Sequence, residues 1–310
     1  MKAAVLKEFG TPVYGDFNKP IANASGIVVA VKAAAISQFD IAVASGNHYM
    51  KPDKLPSVAG KEGIGELPDG RLVYFSNPIS PYGSMAEYTL ISTDSVIEVP
   101  EGVEEATAAV LANSGLAAWL PLSWRAKLRP GETVMVLGAT GVVGQLAVQS
   151  AKLQGACTVI AVGRDEVKLL KTKELGADFT INFTDREGLS KRIHDFAPQG
   201  VDVIIDYLWG EPALEALRAA AVSARLVQIG TKSSDLLNIS GALMRSKNLT
   251  VMGFASYHAK EERRKAYQEI CLLAREGKLK IEFKRVPLSD VKVVWEMQRS
   301  GEQQRMVVIP

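Results

Sequence analysis

Residues 132–144 read ETVMVLGATGVVG. An apolar run, Val134-Met135-Val136-Leu137, ends in a glycine-rich turn, and the turn opens a helix, QLAVQSAKLQG. A strand, a turn and a helix in that order form the context in which Gly138, Gly141 and Gly144 carry information. Gly138 lets the chain turn sharply with a backbone that a side chain would penalise. Gly141 removes a side chain where a pyrophosphate must approach. Gly144 lets the new helix lie close to the strand. The helix N-terminus then offers free N–H groups and a positive dipole end to phosphates. The spacing is G-x-x-G-x-x-G rather than the stricter G-x-G-x-x-G, so a βα turn with no ligand stands as the alternative.

A second strand is expected over Cys157–Arg164. Arg164 stands 20 residues past Gly144, where the residue reading the adenosine ribose belongs. An acidic side chain there selects NAD. Gly163 and Arg164, with Lys168 one helical turn on, leave room and positive charge for a 2′-phosphate, which points to NADP(H). Asp165 argues the other way, since a slip of one residue puts a carboxylate at the site. The βα alternation continues with strands at 179–183, 201–208, 225–230 and 249–254. Helices are expected at 184–196 (TDREGLSKRIHDF) and 211–221 (EPALEALRAAA). Near-continuous apolar strands between amphipathic helices predict a parallel sheet covered on both faces. Ligands of such sheets lie at the carboxyl ends of the strands. That directs attention to Asp206-Tyr207-Leu208, Gln228-Ile229-Gly230 and Gly253-Phe254.

The 310 residues suit one to three domains. A hydrophobic content of 47%, a charged content of 23% and a net charge of +2 fit a globular enzyme and favour neither nucleic acid nor a membrane surface. Two cysteines, Cys157 in an expected core strand and Cys271 in a helix, suggest no disulfide and a reducing, cytoplasmic setting. The N-terminus, MKAAVLKEFG, lacks the apolar core of a signal peptide. The most apolar stretch, 106–122, carries Asn113, Ser114, Gly115 and Pro121 and reads as part of a buried helix from Glu101 to Leu128.

Residues 1–100 read differently from the centre. MKAAVL, IVVAVKAAAI and SMAEYTLI are short strands, and GTPVYGD, GNHYMKPDKLPS and ELPDGRL supply the bends. Close-spaced strands without helices between them predict a barrel-like β domain. Helices follow at about Ala259–Glu276 and Ser289–Arg299, the block KEERRK (260–265) being a solvated face. A last strand, QRMVVIP, needs a sheet partner, and the N-terminal β domain is the economical one.

The order VKAAAISQFDIAVASG (31–46), AGKEGIG (59–65), GSMAEYTLI (83–91), ATAAVLANSGLAAW (106–119), VLGATGVVGQLAVQSAKLQGA (136–156), KELGAD (173–178) and RMVVIP (305–310) resembles the zinc-free quinone oxidoreductase branch of the medium-chain dehydrogenase/reductase family. The resemblance implies an α/β protein. A Rossmann nucleotide-binding domain, at about 111–254, is inserted after an N-terminal GroES-like β-barrel domain that the C-terminus completes, at about 1–110 and 255–310. It implies NADP(H), an active-site cleft, and a homodimer through the nucleotide-binding domain. Zinc-using relatives carry Cys in the segment that is here ISQFD and a His–Glu pair in the segment that is here AGKEG. Ser37, Lys61 and Glu62 stand in those segments, so no metal is expected. The implied cofactor contacts are Gly138, Thr140, Gly141, Val142, Val143, Gly144, Arg164, Lys168, Asn182, Phe183, Tyr207, Leu208, Gln228, Ile229, Gly230, Gly253, Phe254 and Arg305. Ser37 and Gln38 are expected near the nicotinamide. Tyr49 either donates to the substrate or packs, and His48 is a loop histidine. Lys61 either pairs with Glu62 or Asp40 or polarises a carbonyl. Without zinc the acceptor should be conjugated, because conjugation spreads the charge that hydride delivery creates. A quinone is the first choice of substrate. An α,β-unsaturated carbonyl, or NADPH binding with little turnover as a sensor, are the alternatives.

Overall fold

The computed structural model describes residues 1–184, 188–301 and 304–310. The chain divides into two compact units, Met1–Asn113 with Tyr267–Pro310, and Ser114–Ala266.

The first unit begins with strands β1 (Lys2–Leu6), β2 (Val13–Asp16) and β3 (Ile27–Ala35), helix α1 (Gln38–Ala44), and strands β4 (Ser57–Val58), β5 (Glu62–Glu66), β6 (Leu72–Ser76), β7 (Tyr88–Ile91) and β8 (Val96–Glu98). β2 falls where GTPVYGD suggested only a bend; Val13 to Asp16 pair antiparallel with β1. The predicted strand at 84–91 shrinks to β7, because Ser84 and Met85 bond instead to the loop at Ala59 and Gly60. Ser37 ends β3 by capping α1, a helix that the alternation of the preceding strand concealed.

The helix expected from Glu101 to Leu128 is interrupted. It starts at Glu105 as α2 (Glu105–Val110), passes through a π-helical turn at Leu111–Gly115, resumes as α3 (Leu116–Leu120), and widens again over Pro121–Ala126. Gly115 and Pro121 sit at the two breaks; proline has no N–H for the regular ladder, and wide turns absorb such defects.

The second unit then builds its sheet from β9 (Thr133–Leu137), α4 (Val142–Leu153), β10 (Thr158–Gly163), α5 (Glu166–Glu174), β11 (Phe179–Asn182), α6 (Leu189–Phe196), β12 (Val201–Asp206), α7 (Glu211–Arg218), β13 (Ala220–Gln228), α8 (Gly241–Ser246) and β14 (Thr250–Gly253). The predicted start of α6 at 184 runs into 185–187, outside the described residues. The six strands are all parallel, in the order β11-β10-β9-β12-β13-β14. This is the doubly wound order, with the switch point between β9 and β12. Val134, Met135, Val136 and Leu137 are fully buried, as both-face coverage requires. Each such side chain contributes about 1.5–3 kcal/mol on burial. Cys157, expected inside β10, is exposed: the strand starts one residue later, at Thr158, and the Cys157 N–H donates to Glu132 O, just before β9.

After α9 (Lys260–Arg275) the chain adds β15 (Phe283–Pro287), α10 (Val291–Arg299) and β16 (Arg305–Ile309). β16 pairs antiparallel with β3 through Val307–Ala35 and Val308–Ala34, so the end of the chain completes the sheet begun at its start. That sheet runs β15-β16-β3-β5-β6-β8, with β7 also on β3; β2-β1-β4 form a second. Leu6, Ile36, Met85, Trp295, Met306 and Val308 share one core.

Candidate functional site

In the second unit the strand register decides the site. Asn182 pairs with Gly163, Val162 with Leu137, Leu137 with Asp206, Asp206 with Gln228, and Gln228 with Gly253. The predicted strand-end residues therefore form one row along the carboxyl edge of the sheet. Tyr207, Leu208, Ile229, Gly230 and Phe254 follow immediately beyond it.

The fingerprint turn closes as its glycines dictate. Gly138 has φ +87°, and both its N–H and that of Ala139 donate to Val162 O at 2.9 Å. A Cβ on Gly144 would lie 2.2 Å from Gly138 O, so α4 can approach the strand only without one. A Cβ on Gly163 would lie 2.4 Å from the Thr140 methyl. Gly141 is different. Its Cβ would meet only Gly138 O, at 3.7 Å, and it caps α4 with no side chain bonded to the helix N–H groups. Val142 and Val143 open the helix. The turn thus leaves open backbone and an uncapped twelve-residue helix N-terminus, the arrangement that receives a phosphate.

Arg164 follows β10 and lies over the Phe183 ring, 5.9 Å from its centroid. Asp165 caps α5: its carboxylate accepts from Lys168 N at 3.2 Å, and the Lys168 ammonium sits 3.5 Å away. Asn182 donates to Glu166 at 2.9 Å. The Gln228 side chain donates to Gly230 O at 3.2 Å. Gly253 O accepts from Arg125, and the Phe254 ring packs on Trp124. Tyr207 donates to Ala117 O at 2.9 Å, and burial pushes its hydroxyl pKa up. Asp206, at the switch point, is more than the ordinary strand end its sequence suggests. It is fully buried; one carboxylate oxygen accepts from Leu208 N and Trp209 N, and the other has no partner. Burial pushes its pKa up to about 6. Sequence offers no sign of this, because an aspartate after VDVII reads as a turn residue.

In the first unit Ser37, Asp40, Lys61 and Arg305 come together. Ser37 donates to Asp40 through N–H at 2.9 Å and through Oγ at 2.5 Å; Lys61 N–H donates to the other carboxylate oxygen at 3.0 Å. Arg305, buried, donates to Ile36 O at 2.6 Å and adds its charge beside Asp40. Burial pushes the Asp40 carboxyl up, and these donors and the Arg305 charge pull against it. The Lys61 ammonium forms no ion pair with a described residue, and burial lowers its pKa against the attraction of Asp40 and Asp53. Lys61 thus meets Asp40 through its backbone. Gln38 donates to Gln298 O at 3.1 Å. Tyr49 is exposed and stacks on His48, with ring centroids 4.3 Å apart; the His48 ring packs edge-on against Phe39. Among the described residues no group of three or more His, Cys, Asp or Glu side chains is placed to hold a metal ion, and no helix is long and apolar enough to cross a membrane.

The doubly wound sheet with its glycine-rich turn defines an α/β nucleotide-binding fold. Residues 142–271 match the family of zinc-binding dehydrogenases. A quinone oxidoreductase-like protein 2 homolog of Nematostella vectensis is 28% identical over 90% of this chain and 80% of its own. An NAD-dependent alcohol dehydrogenase of Sulfolobus acidocaldarius is 29% identical over 90% of each. The crystal structure of Escherichia coli quinone oxidoreductase complexed with NADPH superposes over the full length of both chains, with a TM-score of 0.86 at 22% identity. By these likenesses the chain is similar to the zinc-binding dehydrogenases and to the quinone oxidoreductase-like proteins, and it is an oxidoreductase.

Proposed function

We propose that this chain is an NADPH-dependent oxidoreductase that reduces a quinone without a metal ion. The observation that carries the reading is the fingerprint turn, where Gly141 leaves the helix N-terminus uncapped and its backbone open. A bound reduced nicotinamide supplies the hydride. Gly138, Thr140, Gly141, Val142, Val143 and Gly144 would hold the pyrophosphate, and Arg164 and Lys168 the 2′-phosphate. The employment of Asp165 as a helix cap supports that choice, because its carboxylate is already turned toward Lys168. The Sulfolobus relative, which is NAD-dependent, makes cofactor preference the first thing to measure. Arg164→Asp is expected to raise the NADPH Michaelis constant and to narrow the preference over NADH. Unchanged kinetics in that variant would remove the NADP assignment.

The donor set supports a metal-free reaction. A lysine ammonium is no zinc ligand, and the positions of the expected thiolate and imidazole hold Ser37 and Lys61. With no Lewis acid, an acceptor that delocalises the incoming charge is the one that hydrogen-bond donors alone can serve. NADPH consumption with a small quinone and with an enone separates the two conjugated acceptor classes. The same reading takes the protein to be a cytoplasmic homodimer joined through the nucleotide-binding unit, and a monomeric mass by light scattering would refute the dimer.

A further inference from the structure

Asp206 ends β12 with a buried carboxylate that no described cation pairs with. One oxygen accepts from Leu208 N at 2.8 Å and Trp209 N at 3.0 Å, and the other accepts from no described residue. The neighbouring strand β9 carries no charged side chain. On β12 itself Asp202 lies at the far end and accepts from Thr133 N. β13 supplies Arg225, which pairs with Glu132. Helix α7 supplies Glu211, exposed, and Glu215, paired with Arg218. The wide turn at 121–126 supplies Arg125, bonded to Gly253 O. Nearby in the loops, the Tyr207 hydroxyl is engaged on Ala117 O, and the exposed Lys232 bonds Tyr207 O through its backbone N–H. Burial pushes the Asp206 carboxyl up to about 6, so its charge changes near neutral pH.

The same carboxylate holds a wall of the fingerprint turn. Its two N–H donors fix a loop in which Trp209 has φ +60°, a left-handed backbone that strains a bulky residue. Leu208 and Tyr207 of that loop lie against Gly138, where a Cβ would stand 3.3 and 3.4 Å from their side chains. Tyr207 N–H also donates to Leu137 O at 3.2 Å, which ties the end of β12 to the start of the turn. Adjacent strands lie about 4.8 Å apart. An anion on the N-terminus of α4 therefore sits on the order of 10 Å from Asp206, two strand spacings, where two unit charges at an effective dielectric of about 20 disfavour each other roughly tenfold.

We infer that Asp206 sets the affinity for the dinucleotide through its charge: the cofactor binds tightest when Asp206 is neutral, and a proton is taken up at Asp206 as the pyrophosphate settles on the turn. The inference rests on the proposed function for the identity of the anion. A bound anion raises the Asp206 pKa further, so affinity is full below about pH 6, falls about tenfold over the next pH unit and then levels off. NADPH affinity is measured by titration calorimetry on the full-length protein at pH 5.5 and pH 8, beside Asp206→Asn. The ratio of parent to variant cancels the ionisation of the 2′-phosphate, which both proteins meet alike. The parent should lose about tenfold relative to the variant between the two pH values. In buffers of different ionisation enthalpy at pH 6.5, the parent should take up about half a proton more than the variant. Where asparagine impairs folding, as a thermal melt would show, carbon NMR of labelled aspartate in the parent reads the same coupling: NADPH should move the Asp206 titration about one pH unit higher. A ratio that stays flat with pH, equal proton uptake, or an unmoved Asp206 titration, each with NADPH bound, would overturn the coupling alone. A protein that binds no dinucleotide at any pH would overturn the proposed function together with it.

Discussion

Replacing Asp206 by asparagine isolates the cost of one buried charge. The carboxyl sits at the switch point of the parallel sheet, fully buried, and its pKa moves from 3.8 to about 6 because burial disfavours the ionised form. The hydrogen bonds from Leu208 and Trp209 work in the opposite direction and are too weak to win. A folded pKa above the unfolded one means that the native state binds the proton more tightly. Stability from this group is therefore complete below about pH 4, declines as pH rises toward 6, and stays reduced above that. A rise of that size corresponds to about 3 kcal/mol. Asparagine keeps an oxygen for the two N–H donors and carries no charge. Asp206→Asn is expected to match the parent at pH 4 and to exceed it by up to about 3 kcal/mol at pH 8. Urea unfolding at a series of pH values reads the difference between the two proteins. A difference that does not change between pH 4 and pH 8, or a variant less stable at pH 8, would refute the reasoning.

The glycines of the turn give a matched pair. Gly144→Ala places a Cβ 2.2 Å from Gly138 O, a backbone clash that should cost several kcal/mol in an unfolding experiment. Gly141→Ala has open space and φ −79°, so its melting temperature should hold while NADPH affinity falls. In the first unit Ser37→Ala removes a helix cap and one donor to Asp40, for an expected loss of about 1 kcal/mol. It should also push the Asp40 carboxyl pKa higher still, measurable by carbon NMR of the labelled aspartate. Arg164→Asp remains the test of cofactor choice, read as the ratio of kcat/KM for NADPH and NADH.

The two-residue and 3.6-residue periods of apolar side chains are local properties, and they suffice to read the six-strand parallel sheet, the turn at 138–144 and the row of strand-end residues. The positions of Gly138, Gly141 and Gly144 fix which backbone can bend and which can come close. Boundaries set by non-local hydrogen bonds are not legible in that way: β2 forms because β1 lies beside it, and β7 starts late because Ser84 and Met85 are held by the loop at Ala59 and Gly60. The break of the long helix at Gly115 and Pro121 is written in the chain, but its π-helical form is not. Local pattern alone was enough for the nucleotide-binding α/β fold and for the residues at its rim. Long-range packing settled the rest: Asp206 is buried with one bare oxygen, and Asp40 gathers Ser37, Lys61 and Arg305. The pKa and partners of a side chain depend on what packs around it from distant parts of the chain, and no local pattern encodes that.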